Sequence, residues 1–273
     1  MAVSNINLAQ PGGMLDAWMR NVKRAGVTNA FVLALDDETK ENVEKFGFPV
    51  FRMHQKIPKA QQGNGSNHAV SAMKFRILKE FLQLGYSVFL SDVDILTFKN
   101  PFEYLARDSD VEAMSDGWDK LTAYGYDDVM DDQEMGWSRY AHSIRVFCFN
   151  SGLFYIRASQ ASMDLIDKVI ERVEGEGGWD QAIFNEVIFF PSHPNYKASG
   201  GDPSVTRRVL DMRLFMNSKY LFKYHRHEPD YHKHTPVMLH VNYHSNKFER
   251  MLAAEKRYVH GELTALDEFP VGS

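Results

Sequence analysis

Two carboxylates one residue apart, Asp92 and Asp94, follow the apolar run Val88-Phe89-Leu90-Ser91. Hard oxygen donors at that spacing can share a divalent cation such as Mg²⁺ or Mn²⁺, and a buried strand ending there would hold them in place. The same triplet can also do no more than cap a turn. His240 closes a second apolar run, Val237-Met238-Leu239, and Lys247 stands seven residues further on. Such an imidazole can complete a metal shell and the lysine can neutralise a diphosphate, although a strand-end histidine serves equally well as a satisfied core or surface residue. Asp180, in Trp179-Asp180-Gln181, precedes a stretch of helical period and is either a helix N-cap or a group held at a crevice. Asn150-Ser151-Gly152 interrupts an apolar run, which a bulge or the close approach of a ligand explains equally well.

Other polar groups read as background. Cys148 is the single cysteine and lies among apolar residues, as a buried inert thiol does. With no second cysteine, internal disulfides and thiolate zinc clusters are excluded, so any metal must be held by oxygen and imidazole. His225, His227, His232 and His234 fall in a polar loop, and Asp127-Asp128 and Asp131-Asp132 lack the ladder of a calcium hand. Asn64-Gly65-Ser66 fits an N-glycosylation acceptor, a triplet common by chance.

The elements that must position these groups alternate between buried strands and amphipathic helices, the pattern of a layered α/β fold. Phe31 to Leu35 predicts a strand ending at Asp36-Asp37, and Val70, Met73, Ile77, Leu78, Phe81 and Leu82 predict a helix that Gly85 stops. Val88 to Leu90, Phe147 to Phe149, Leu153 to Ile156 and Val237 to Leu239 read as further strands. Met163, Ile166, Val169, Ile170 and Val173 mark one helix; Ala182, Ile183, Val187 and Ile188 mark another. In open α/β sheets ligands bind at the carboxyl ends of strands, where several of these polar residues stand. The 273 residues carry no repeat or low-complexity linker, so one domain over 1–273 is expected. A net charge of −5 leaves no cationic excess to hold a nucleic-acid backbone, and no run approaches the roughly 20 apolar residues of a membrane span.

Ser66 to Ser71, Lys74-Phe75-Arg76, Leu90 to Asp94 and Asn100-Pro101-Phe102 together resemble the nucleotide-diphospho-sugar transferases of glycosyltransferase family 77. More narrowly, Met114-Ser115-Asp116-Gly117, Phe149 to Gly152, Gly177 to Ala182, Phe190 to Pro194, Phe215 to Ser218 and His240 to Ser245 are similar to the plant and green-algal reduced-residual-arabinose arabinosyltransferases. The match is specific from about residue 65 onward; residues 1–64 resemble the family in outline.

That resemblance implies a GT-A fold: a Rossmann-like mixed sheet flanked by helices, with a divalent metal, Mn²⁺ or Mg²⁺, on the diphosphate of a UDP-sugar donor. Asp92, Asp94 and His240 become the metal ligands, with Asp36 at the nucleoside and Lys74 and Lys247 at the sugar or diphosphate. Asn150, Asp180 and Gln181 fall where related retaining enzymes line the donor sugar, either with Asp180 as a covalent nucleophile or with the group steadying an oxocarbenium-like centre. Related glycogenin-like enzymes set their lysine six residues after the histidine with a glycine between; here the gap is seven and the glycine is missing. The implied reaction moves arabinofuranose from UDP-arabinofuranose to arabinosylated hydroxyproline of wall glycoproteins, in the Golgi lumen, behind a membrane stem absent from this chain. Two alternatives stand beside it. A glycan-binding protein on an inactive transferase fold would not consume a UDP-sugar. A D-x-D phosphatase of the haloacid dehalogenase type expects Thr or Val two residues after the second aspartate, where this chain has Leu96.

Overall fold

A computed structural model describes residues 1–5, 7–54, 56, 59–61, 66–124, 148–176, 178–189 and 205–271. The acidic pairs at 127–132, Phe147, Gly177, Asn64-Gly65 and the Phe190 to Pro194 motif lie outside them. The chain runs through β1 (Ala2–Ser4), α1 (Met14–Arg24), β2 (Val32–Ala34), α2 (Asp37–Lys45), β3 (Val50–Arg52), α3 (Ser66–Gln83), β4 (Val88–Ser91) and β5 (Ile95–Thr97). There follow β6 (Val111–Ser115), α4 (Lys120–Tyr124), β7 (Phe149–Ile156), α5 (Gln160–Glu176), α6 (Asp180–Phe189) and β8 (Arg207–Val209). Last come β9 (Phe215–Asn217), α7 (Ser218–Lys223), β10 (Met238–His240) and α8 (Lys247–Val259). No described helix is long and apolar enough to cross a membrane.

These elements form two compact units interleaved in sequence: Met1–His54, Ser91–Leu105 and Leu210–Ser273 make the first, Gln55–Leu90 and Ala106–Val209 the second. The first holds a parallel sheet ordered β1-β2-β3 and a mixed one ordered β5-β10-β9. In the mixed sheet β10 runs antiparallel to β5, setting His240 opposite Ile95, and parallel to β9. Helix α1 turns Leu15, Trp18, Met19 and Val22 inward at helical spacing, and these pack with Val32, Val43, Phe48 and Val93. Trp18 stands edge-on to Phe48 at 5.6 Å and donates its indole N–H to Ser91 Oγ at 3.0 Å, so its polar atom is satisfied inside the core. The chain then turns at Gly26, whose φ of +73° is left-handed and costs an L side chain roughly 1 kcal/mol or more.

In the second unit the sheet order is β4-β7-β6-β8, with β7 antiparallel and β8 parallel to β6. The core joins Phe75 of α3, Phe154 of β7 and Phe184 of α6, with Phe154 and Phe184 stacked at 5.1 Å. Helix α3 ends before Gly85, at φ +82°, as the periodicity predicts. In strand β7 the bulge reading of Asn150-Ser151-Gly152 holds and the division into two strands does not. The apolar run does not break at Asn150-Ser151-Gly152 but continues as one fully buried strand. Its register against β6 shifts there instead, Ala113 facing Phe154 and Ser115 facing Phe149, and Gly152 N–H folds back onto Asn150 Oδ1 at 2.8 Å.

Asp110, just ahead of β6, accepts from Ser159 Oγ and Arg157 at 2.7 Å each, and from the Thr206 N–H and hydroxyl at 2.9 and 2.7 Å. Burial alone would raise its carboxyl, but these donors bring it down to about 2. Relative to an unfolded value near 3.9, Asp110→Asn is expected to lose about 2 kcal/mol at neutral pH. The depressed group contributes above the unfolded value and loses its contribution as pH falls toward 2. Urea melts of parent and variant should therefore converge in acid; a pH-independent gap would contradict this account.

Candidate functional site

Strand β4 runs straight into Asp92-Val93-Asp94, and Val93 is buried in the core of the first unit, which anchors the turn between its two flanking carboxylates. The antiparallel pairing of β5 with β10 then brings His240 alongside, and Val241 N–H donates to the Asp94 carbonyl at 3.0 Å. His240 Nε2 lies 3.0 Å from Asp94 Oδ1, and Lys247 Nζ lies 2.6 Å from Asp94 Oδ2. One ligand atom each from Asp92, Asp94 and His240 falls within 4.8 Å of the other two. Ligands sharing a cation with bonds near 2.1 Å sit at most about 4 Å apart, so a small contraction suffices, and two carboxylates with an imidazole suit Mn²⁺ or Mg²⁺. Burial pushes the Asp94 carboxyl up, yet His240 and Lys247 together hold it below the usual carboxylate range. Burial likewise lowers the Lys247 ammonium, and Asp94 and Asp92 more than restore it. The seven-residue gap is accommodated because 241–246 is a loop and Lys247 opens α8. Asp36, in the same unit, sits at the end of β2 and caps α2, accepting from Thr39 N–H at 2.7 Å.

The remaining expected residues meet in the second unit. Asp180 is the first residue of α6, and its Oδ2 lies 2.7 Å from Lys74 Nζ of α3, with both side chains buried. The same oxygen accepts from Ser71 at 3.0 Å and Ser151 at 2.9 Å. Of its two sequence readings, helix cap or crevice group, the simple cap gives way to a buried ion pair, in which burial raises the carboxyl but Lys74 and the two hydroxyls bring it below its ordinary value. Lys74, expected at the sugar or diphosphate, is bonded to Asp180, Ser71 and Ser151. Gln181 accepts from Ser151 N–H at 3.2 Å and donates to Asp116 Oδ2 at 2.7 Å, while Asn150 donates to Asp116 Oδ1 at 2.9 Å. Both amides therefore converge on one carboxylate, fixing their orientation.

Asp116 was not singled out as a site residue, though it stands just past the end of β6, where a polar strand end signals a ligand face. Gly117 next to it is required by packing: an added Cβ would collide with the Ala123 backbone. Cys148 is buried as expected, its thiol pushed well up by burial, and it accepts a long contact from Gln181 at 3.3 Å.

A family model described as nucleotide-diphospho-sugar transferase matches residues 25–251. The chain belongs to that family. The transferase is 49% identical over 261 residues to arabinosyltransferase RRA2 of Arabidopsis thaliana, covering 95% of this chain and 60% of the relative. It is 45% identical to arabinosyltransferase RRA1 of the same plant, covering 95% and 64%. The chain thus spans somewhat under two thirds of the length of these curated relatives. Among solved structures, the galactosyltransferase LgtC superposes with a TM-score of 0.57 at 16% identity, covering 95% of this chain and 93% of that one. That likeness is one of fold, and the transferase has the α/β GT-A architecture.

Proposed function

We propose that this transferase moves arabinofuranose from UDP-arabinofuranose to arabinosylated hydroxyproline of secreted wall glycoproteins, with retention of configuration. The observation that carries the donor half is the meeting of Asp92, Asp94, His240 and Lys247 at adjoining strand ends. Departure of UDP builds negative charge on the diphosphate, and positive charge aimed there stabilises the transition state more than the ground state. Asp92, Asp94 and His240 would hold the Mn²⁺ or Mg²⁺, which when bound acts as a Lewis acid on that diphosphate. Lys247 supplies a second cation, and Asp36 faces the nucleoside. On the sugar side Asn150, Asp180 and Gln181 are held rigid by Asp116, Lys74 and two serines, as a preorganised site requires. Likeness to two arabinosyltransferases supports arabinose as the sugar moved. The hydroxyproline acceptor and a Golgi lumen belong to the same reading and rest on the family resemblance of the motifs alone.

Incubation with Mn²⁺, arabinosylated hydroxyproline peptides and either UDP-arabinofuranose, UDP-glucose or UDP-galactose tests this. Transfer is expected from UDP-arabinofuranose with the others at least about tenfold slower, the discrimination one well-formed set of sugar contacts supplies. A preference for a hexose donor would defeat the arabinosyl assignment, and binding of UDP-sugars without turnover of any would favour a glycan-binding role.

A further inference from the structure

A cavity of about 380 Å³ in the first unit is lined by Arg24, Lys99 and Lys233 together with Phe98, Thr235 and Tyr258, and among the described residues no carboxylate lines it. In a chain of net charge −5 a concave surface with three cations and no acid is not expected by chance mixing. The cavity lies at the far end of the β5–β10 pair from Asp94 and His240. Asp94 precedes β5, whereas Phe98 and Lys99 follow it and donate their N–H groups to Val237, ahead of β10. Four residues of extended chain place it roughly 13 Å from the carboxylate–imidazole cluster.

The cations are unequally committed. Arg24 shares its guanidinium with Glu255 at 3.4 Å and with Asn21. Lys99 donates to the neutral Thr235 carbonyl at 2.7 Å, which positions its ammonium without cancelling its charge. Lys233 is exposed. Two lysine ammoniums beside half a guanidinium match a dianion, and a phosphate monoester places nearly two charges on one group within reach of all three donors. Behind them the rings of Phe98 and Tyr258 lie 5.0 Å apart, both half-buried, so each leaves part of a flat apolar surface to the cavity.

We propose that this cavity is a second ligand site, separate from the donor site, that takes a phosphate monoester carried on a ring. The lysines hold the phosphate and the Phe98–Tyr258 pair seats the ring. Phenyl phosphate is the probe, titrated into the whole chain in EDTA so that no metal can recruit it to Asp92 and Asp94. Saturable binding is expected, weakened by added salt, and tighter than that of inorganic phosphate by about tenfold for the buried ring. Lys233→Glu and the double variant Lys99→Met/Lys233→Met should each weaken phenyl phosphate by about tenfold or more, while Asp92→Asn/Asp94→Asn leaves it unchanged. Because Lys233 is exposed, its variant reports on binding even where loss of the Lys99–Thr235 bond perturbs folding. Equal binding of both phosphates removes the ring from the proposal. Indifference to Lys233→Glu, sensitivity to Asp92→Asn/Asp94→Asn, or no saturable binding overturns the site.

Discussion

Asp94→Asn is expected to remove metal-dependent UDP binding and to lower turnover by roughly 10²–10³, the effect of losing an electrostatic contact to a developing anion. The substitution keeps the shape of the side chain and takes away the charge that His240 and Lys247 face at 3.0 and 2.6 Å. Titrating UDP with and without Mn²⁺ isolates the relevant quantity, the ratio of the two affinities. In the parent that ratio should be large, and in Asp94→Asn close to one. His240→Gln should shift it in the same direction through loss of the imidazole. An Asp94→Asn protein whose metal-dependent UDP affinity stays within about twofold of the parent would remove these residues from the donor site.

The largest effect on stability is expected from Lys74→Met. Removing one member of a buried pair leaves an uncompensated charge and costs about 3–5 kcal/mol, and the Lys74–Asp180 pair is buried on both sides. The pH dependence should change with it. In the parent, Asp180 is held below its unfolded value, so its contribution is complete above that value and is lost as pH falls through the folded one. Without Lys74 burial dominates, the carboxyl rises, and the variant should be weakest at neutral pH and gain on the parent in acid. Asp180→Asn likewise leaves Lys74 buried and unpaired and should also be destabilised, but in the protein that remains folded turnover should fall by roughly 10²–10³ with UDP affinity retained. The double variant Lys74→Met/Asp180→Asn should recover much of the stability and none of the turnover. Parental turnover in a folded Asp180→Asn protein would make the pair purely structural.

What was legible beforehand follows from how local each signal is. Strands β2, β4 and β10 announce themselves as apolar runs that stop at a polar residue, and α3 by apolar spacing plus the glycine that ends it. Strands β1, β3, β8 and β9 span three residues each and owe their extended form to the neighbour they pair with, which no local window contains. The site divides the same way. Asp92, Asp94 and His240 stand at the ends of legible strands, so their meeting follows once those strands lie side by side. Lys74 lies within α3, and nothing in its surroundings names Asp180, over a hundred residues on, as its partner. Asp116 could have been found, since β6 ends in front of it as β4 ends in front of Asp92; the short polar run Met114-Ser115-Asp116-Gly117 was read as a motif and not as a strand end. In strand β7 a bulge and a break look alike along one strand, and the register of β6 decides for the bulge.

The pairing of β5 with β10 also fixes when the cluster of Asp92, Asp94 and His240 can come into existence. Ile95 finds His240 only after about 145 further residues have been synthesised, and Lys247 follows later still. A ribosome adding about 5–20 residues per second would expose Asp92 and Asp94 for several seconds before their imidazole and ammonium partners emerge. During that interval the β5 edge has no partner from its own sheet, and closing so long a loop is slow relative to local helix formation. Formation of the cluster is therefore tied to the arrival of the segment from His240 to Lys247. A nascent chain stalled before residue 238 should carry the folded helices without affinity for UDP, and release past Lys247 should bring nucleotide binding and protection of the β5 edge together.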